Sequence, residues 1–272
     1  MNIIGFYNQK GGVGKTAMSV NLAAVFADHL GKRVAIVDMD GQINTTQYLL
    51  SNDENYFVNG QYNEDNYNIS NIISNDCSIQ NCITYRTFSR YSAFKQIDYK
   101  IAVIPGTSQI NYLEFSSMFC LQEQLKKLED EFDYIFIDLP PSDSTAVAIA
   151  LAACDYVICP SEAELDSMNG FKKLLDLVDD INVNYDSNIT VLGIFINKFM
   201  KVRAFQKAIQ EELMNFDESY LFKTYIPNDP RVPESRGMRM PLESFAHSCD
   251  ANKALQKLAK EIVAKIEKIK RG

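Results

Sequence analysis

Lys10-Gly11-Gly12-Val13-Gly14-Lys15-Thr16 lies between a short apolar run, Ile3–Tyr7, and a stretch of helical spacing, Thr16–Leu30. In that setting a glycine-rich loop can wrap closely around phosphate oxygens. Glycine permits backbone angles and approaches that a side chain forbids, and the amides at the helix start point toward the anion. Lys15 would reach the β- and γ-phosphates, and the Thr16 hydroxyl would bind Mg²⁺. The general motif has glycine at position 9, where this chain has Gln9, so the loop is a variant carrying an additional lysine, Lys10. A plain glycine-rich turn is the bland alternative, and the flanking strand and helix argue against it.

Working outward, Gly31 closes the first helical stretch, and Arg33–Asp38 reads as the second strand. Further strand-like runs are Ile101–Ile104, Tyr134–Asp138, Tyr156–Cys159, Val191–Ile196 and Phe222–Ile226. Helical patterns cover Leu121–Glu131, Thr145–Cys154, Leu165–Ile181, Ala204–Met214 and Asn252–Ile269. Strands alternating with helices imply crossover connections, and continuous apolar strands imply that both sheet faces are covered. The expected fold is α/β, a mainly parallel twisted sheet with helices on both faces, formed by residues 1–272 as one domain. Ser51–Asn68 breaks the pattern: six of its residues are Asn, four are acidic and none is basic. It reads as a mobile polar insertion.

Two acidic stations follow at strand ends, Val37-Asp38-Met39-Asp40-Gly41-Gln42 and Ile137-Asp138-Leu139-Pro140-Pro141. In open α/β sheets ligands sit beyond the carboxyl ends of the strands, so Asp38, Asp40 and Asp138 project toward the phosphate loop. Asp38 is read as buried and structural, the other two as functional.

The composition sets limits. The formal net charge is −8, which argues against a surface coated in nucleic-acid-binding charge yet allows a local basic patch. Six cysteines occur without a CxxC pair and are read as buried thiols, although Cys77/Cys82 and Cys154/Cys159 share a spacing of five. With two histidines, His29 and His247, far apart, a histidine-based metal site is not expected. The amino terminus lacks the basic region of a signal peptide, and no apolar run approaches a membrane span, so the expectation is cytoplasmic.

Taken together, these motifs resemble the ParA/MinD branch of P-loop ATPases, and within it the ParA type, over nearly the whole chain. KGGVGKT is similar to the deviant Walker A loop of that branch, with Lys10 as its signature lysine. VDMDGQ resembles VDxDPQ, FIDLPPS the D-x-P-P element, and RVPESRGMRMPL the R-[VIL]-x-E-A-x-x-x-G-x-P segment. Cys159-Pro160-Ser161-Glu162, Ile196-Asn197-Lys198 and Ile226-Pro227 match its later strand ends.

The resemblance implies an ATP-binding set of Gly11, Gly12, Val13, Gly14, Lys15, Thr16 and Ala17. Asn197 would hydrogen-bond adenine, with Pro227 and Asn228 lining the base pocket. Thr16 and Asp138 would hold Mg²⁺ and its water shell. Asp40 would orient the attacking water, and Lys10 would cross a dimer interface to the partner's phosphates. Three departures stand out: Gly41 replaces the usual proline, Ala17 a second threonine, and Ser235 an alanine.

The resemblance also implies a homodimer with ATP, nonspecific DNA on the nucleoid, and a ParB-like centromere-binding protein as partner. Arg203 and Arg231 resemble DNA-contacting arginines, within a run of basic residues that includes Lys198, Lys201, Lys207, Arg236 and Arg239. The alternative is a MinD-like membrane-positioning ATPase. Leu255, Leu258, Ile262, Ile266 and Ile269 form one helical stripe, and residues 253–272 carry seven Lys/Arg against two Glu. Docking of the stripe on the sheet is the preferred reading, because it has no Trp or Phe anchor. An iron–sulfur reductase would need a cysteine shortly after Asp138, and Leu139–Ala153 contains none. The early phosphate loop argues against a preceding helix-turn-helix domain.

Overall fold

The computed structural model describes residues 1–92, 95–164, 167–200 and 217–271. Its centre is a seven-stranded sheet in the order β5-β6-β2-β7-β1-β8-β9. The strands are β1 (Asn2–Phe6), β2 (Val34–Asp38), β5 (Thr84–Ser92), β6 (Lys95–Ile104), β7 (Tyr134–Asp138), β8 (Tyr156–Glu162) and β9 (Thr190–Asn197). All neighbours run parallel except β5 and β6.

Alternation along the strands divides the interior into two cores. On β7, Ile135 and Ile137 face one side, while Tyr134 and Phe136 face the other; on β2, Ala35 and Val37 oppose Val34 and Ile36. The first side is covered by α3 (Ile69–Ile73), α4 (Cys120–Lys126), α5 (Thr145–Ala152) and α6 (Ser167–Tyr185). The second is covered by α1 (Lys15–Asp28), α2 (Asn44–Leu50) and three late helices, α7 (Arg231–Gly237), α8 (Leu242–Phe245) and α9 (Asp250–Arg271). The fold is therefore the α/β architecture expected, with helices on both faces.

Three expectations need adjustment, and a fourth is not tested. The edge strand β5 was absent from the sequence reading, because its alternating Thr84, Arg86, Phe88 and Arg90 lacks the apolar run of a buried strand. Phe222–Ile226 is not a strand. Phe222 and Ile226 donate amides to the Ile194 and Ile196 carbonyls, but the Lys223 and Thr224 amides between them go to the Glu261 carboxylate. That approach requires Gly193, at φ +140°, where an added Cβ would lie 1.9 Å from the Tyr220 carbonyl oxygen. The polar insertion is folded rather than loose: β3 (Phe57–Val58) and β4 (Gln61–Tyr62) pair as a hairpin. The Tyr62 hydroxyl bonds the Gly106 carbonyl at 2.8 Å, and Glu64 accepts from Thr107 and Ser108. Finally, the expected helix Ala204–Met214 lies outside the described residues.

The terminal helix α9 explains its own sequence stripe. Leu255, Leu258, Ile262 and Ile266 are buried, and Ile269 alone of the five is exposed. The stripe packs against α1 and β9. Among the described residues, no helix is long and apolar enough to cross a membrane.

Candidate functional site

Strand register assembles the site. The central strands β2, β7 and β1 pair so that Asp38 stands opposite Asp138, and Asp138 opposite Phe6. Their carboxyl ends meet at the loop between β1 and α1. Within the loop, Gly12 and Gly14 have φ of +80° and +95°, and a Cβ on Gly14 would lie 2.4 Å from the Asn197 amide nitrogen. That amide donates to the Val13 carbonyl at 2.9 Å, tying the end of β9 to the loop. Asn8 braces the other side, donating to the Pro160 carbonyl and accepting from the Lys10 amide, each at 2.9 Å.

Lys15 is buried, and its ammonium donates to the Asn8 carbonyl at 3.0 Å and the Lys10 carbonyl at 3.3 Å. Burial lowers its pKa, and the charges of Asp138 and Asp40 oppose that fall. A cation stripped of water beneath an anion-binding loop is poised to exchange those carbonyls for phosphate oxygens. At the loop's rim, Lys10 forms an ion pair with Glu164, and Lys198 pairs with Glu162 at 2.6 Å while also bonding the Gly12 carbonyl.

The acidic side is more deeply buried. Asp138 Oδ2 accepts from the Thr45 hydroxyl at 2.7 Å, while Oδ1 is buried without a hydrogen-bond partner. Burial pushes its pKa up to about 6 against the opposing pull of the nearby Thr16 and Thr45 hydroxyl groups. An orphaned carboxylate oxygen beside a threonine hydroxyl fits a divalent cation and its waters, the arrangement hard Mg²⁺ prefers. Asp38 accepts from the Asp40 amide at 3.2 Å, the Thr46 amide at 2.8 Å and the Thr46 hydroxyl at 2.7 Å. Its pKa is pushed up to about 7 by burial and by the neighbouring Asp138 charge. Asp40 accepts from the Gln42 amide at 3.0 Å.

The structure thus brings together Lys10, Gly11, Gly12, Val13, Gly14, Lys15, Thr16, Asp138 and Asn197, with Asp40 close to Lys15 and Asp138. Pro227 and Asn228 sit beside the end of β9, through a bridge and an Asn228 amide to the Phe199 carbonyl at 3.0 Å. Sequence reasoning missed Asn8, Thr45 and Thr46. The Asn44-Thr45-Thr46 run after Asp40 was the available signal: hydroxyl groups at a helix start, next to a strand-end carboxylate.

Arg203 and Lys201 lie outside the described residues. Arg231 is exposed but makes a bidentate pair with the buried Asp229, at 2.7 and 2.9 Å. Arg236 bonds the Asn44 side chain, and Arg239 bonds the Ser51 carbonyl and the Asn52 side chain. These two arginines line a cavity of about 560 Å³ with Gln47, Tyr48, Phe57 and Pro233.

Fold and site together define a P-loop nucleotide-binding protein. A family model described as an AAA domain matches residues 1–191, and the chain belongs to that family, as a P-loop ATPase of the ParA type. It is 29% identical over 269 residues to the sporulation initiation inhibitor protein Soj of Bacillus subtilis, covering 96% of this chain and 98% of that one. It is 29% identical over 246 residues to the chromosome partitioning protein ParA of Myxococcus xanthus, covering 88% and 80%. Among solved structures, cobyrinic acid a,c-diamide synthase of Mycobacterium smegmatis with bound ATP analogue and magnesium superposes with a TM-score of 0.74. It is 18% identical, and the match covers 97% of this chain and 94% of that one. The last likeness is one of fold.

Proposed function

We propose that this protein is a Mg²⁺-dependent ATPase that dimerises with ATP, binds DNA without sequence preference and partitions DNA within the cell. The observation that carries the nucleotide reading is a buried Lys15 beneath the glycine loop within electrostatic reach of Asp138, whose Oδ1 has no hydrogen-bond partner. The partitioning reading is supported by the Soj and ParA relatives.

In this reading the loop amides and Lys15 hold the phosphates, and Asn197, Pro227 and Asn228 border the base. Thr16 and Asp138 would hold Mg²⁺, which would supply positive charge to offset that of the phosphates. Asp40 orients the attacking water. Lys10, now paired with Glu164, exchanges that partner for phosphate of a second subunit, because two phosphate-loaded faces repel unless opposing cations neutralise them. Hydrolysis is slow, and a ParB-like centromere-binding protein stimulates it. DNA binding through Arg203 and Arg231 follows ATP state, since a dimer presents both patches at once.

The test is ATP turnover beside sedimentation with a nonhydrolysable analogue. Lys15→Ala should abolish turnover. Asp40→Ala should bind ATP, hydrolyse it poorly and accumulate as dimer; wild-type turnover in Asp40→Ala would remove its assigned role.

A further inference from the structure

We propose that Cys77 and Cys82 form a dithiol–disulfide couple, a modification site separate from the nucleotide chemistry. Their Sγ atoms lie 3.4 Å apart, in contact as free thiols. The intervening turn holds them there. The Asp76 amide bonds the Asn71 carbonyl at 2.9 Å, the Asn81 amide bonds the Ser78 carbonyl at 2.9 Å, and a 3₁₀ turn spans Ile79–Cys82. A disulfide needs sulfurs about 2.05 Å apart, so the gap closes by side-chain rotation and a small backbone adjustment.

The two thiols differ in a way that orders the steps. Cys82 is buried in the core, while Cys77 is half-buried and meets solvent; the other four cysteines are buried. Burial and the adjacent Cys77 raise the Cys82 pKa, which disfavours Cys82 as the first nucleophile. With oxidised glutathione as the oxidant, the Cys77 thiolate attacks one sulfur of its disulfide and releases one glutathione. Cys82 then loses its proton to water and attacks Cys77 Sγ, expelling the second glutathione. Two protein thiols are oxidised and one glutathione disulfide is reduced to two thiols, so atoms and electrons balance. The new bond closes the turn that leads from α3 into the edge strand β5.

The experiment equilibrates the native, reduced chain against a series of glutathione redox buffers. Thiols are counted by alkylation, intact mass is measured, and the cross-linked peptide is mapped. Wild type should lose two thiols in concert and the mass of two hydrogens, with the bond mapping to residues 77 and 82. Cys82→Ser should stall with glutathione attached to Cys77, and Cys77→Ser should keep its remaining thiols. Retention of all six thiols across the series, a stable glutathione adduct on wild-type Cys77, or a bond between other cysteines would overturn the proposal. The wild-type measurement decides the matter even if the buried Cys82→Ser variant fails to fold.

Discussion

Gly14 sits at the tightest point of the site, in a left-handed conformation with the Asn197 amide where its Cβ would be. Gly14→Ala combines an unfavourable backbone region, costing about 1–2 kcal/mol, with a clash against the group that braces the loop. It should lose binding of a fluorescent ATP analogue while keeping its far-ultraviolet circular dichroism; wild-type affinity would contradict this account. Asp138 carries the opposite kind of strain, charge without solvation. Its raised pKa means that the metal-free native state holds this proton more tightly than the unfolded chain does. Stability from this group therefore falls as pH rises from the ordinary 3.8 toward about 6, and stays low above that. Asp138→Asn should melt higher than metal-free wild type above that window, by on the order of 1–3 kcal/mol, with the margin shrinking at lower pH. The same variant should gain nothing from Mg²⁺ with nucleotide. A thermal melt series in pH, with and without Mg²⁺-ATP, reads both effects.

Between elements, buried polar links replace what the family pattern lacks. Ser235 stands where alanine is usual, and its hydroxyl bonds Tyr48 of α2 at 2.7 Å and the Val232 carbonyl at 2.8 Å. Tyr48 also meets Asn21 of α1, whose side-chain oxygen accepts the Leu242 amide at 2.7 Å. This chain of contacts joins α1, α2, α7 and α8. Tyr48→Phe should cost about 1 kcal/mol in urea unfolding with an unchanged slope, since Ser235 retains its bond to Val232. A second element-scale case is α9. Leu258 is fully buried against the sheet side of that helix, so Leu258→Ala should cost about 2–5 kcal/mol. A stripe held in the core in this way should not pull the native chain onto liposomes. ATP-dependent co-sedimentation with vesicles would reverse that conclusion and restore the membrane-positioning alternative.

At the scale of the whole molecule, the acidic balance of −8 opposes contact with DNA unless cations are gathered by assembly. On the proposed function, ATP-driven dimerisation would do this by bringing two copies of the basic run together. The predicted result is anisotropy binding to two unrelated duplexes with ATP, much weaker with ADP, and falling steeply with salt. Arg231→Ala should weaken both duplexes alike and leave the dimer intact. Its effect should be tempered, because Asp229 already neutralises part of its charge. Lys10→Ala should remove the dimer and, with it, the nucleotide dependence of DNA binding. Equal DNA binding with ATP and ADP would remove the DNA assignment.

Local sequence was sufficient wherever a strand is buried on both faces or a loop must be glycine. Tyr134–Asp138 was bounded correctly for the first reason, and the phosphate loop was recognised for the second. Periodicity also marked the apolar stripe of α9, but not what would cover it. That answer came from packing, because the same stripe suits a sheet or a membrane surface. The half-polar edge strand β5 was illegible since its stability comes from pairing with β6 along nine residue pairs. The hairpin within 51–68 was illegible too, since its anchors, Gly106, Thr107 and Ser108, lie some forty residues downstream. Likewise Asp38, Asp40 and Asp138 could be nominated singly from strand ends, whereas the orphaned Oδ1 of Asp138 and the Thr45 bond to its Oδ2 depend on the parallel register of β2 and β7. Residue chemistry is carried by the chain itself; solvation and charge pairing are set only when distant segments meet.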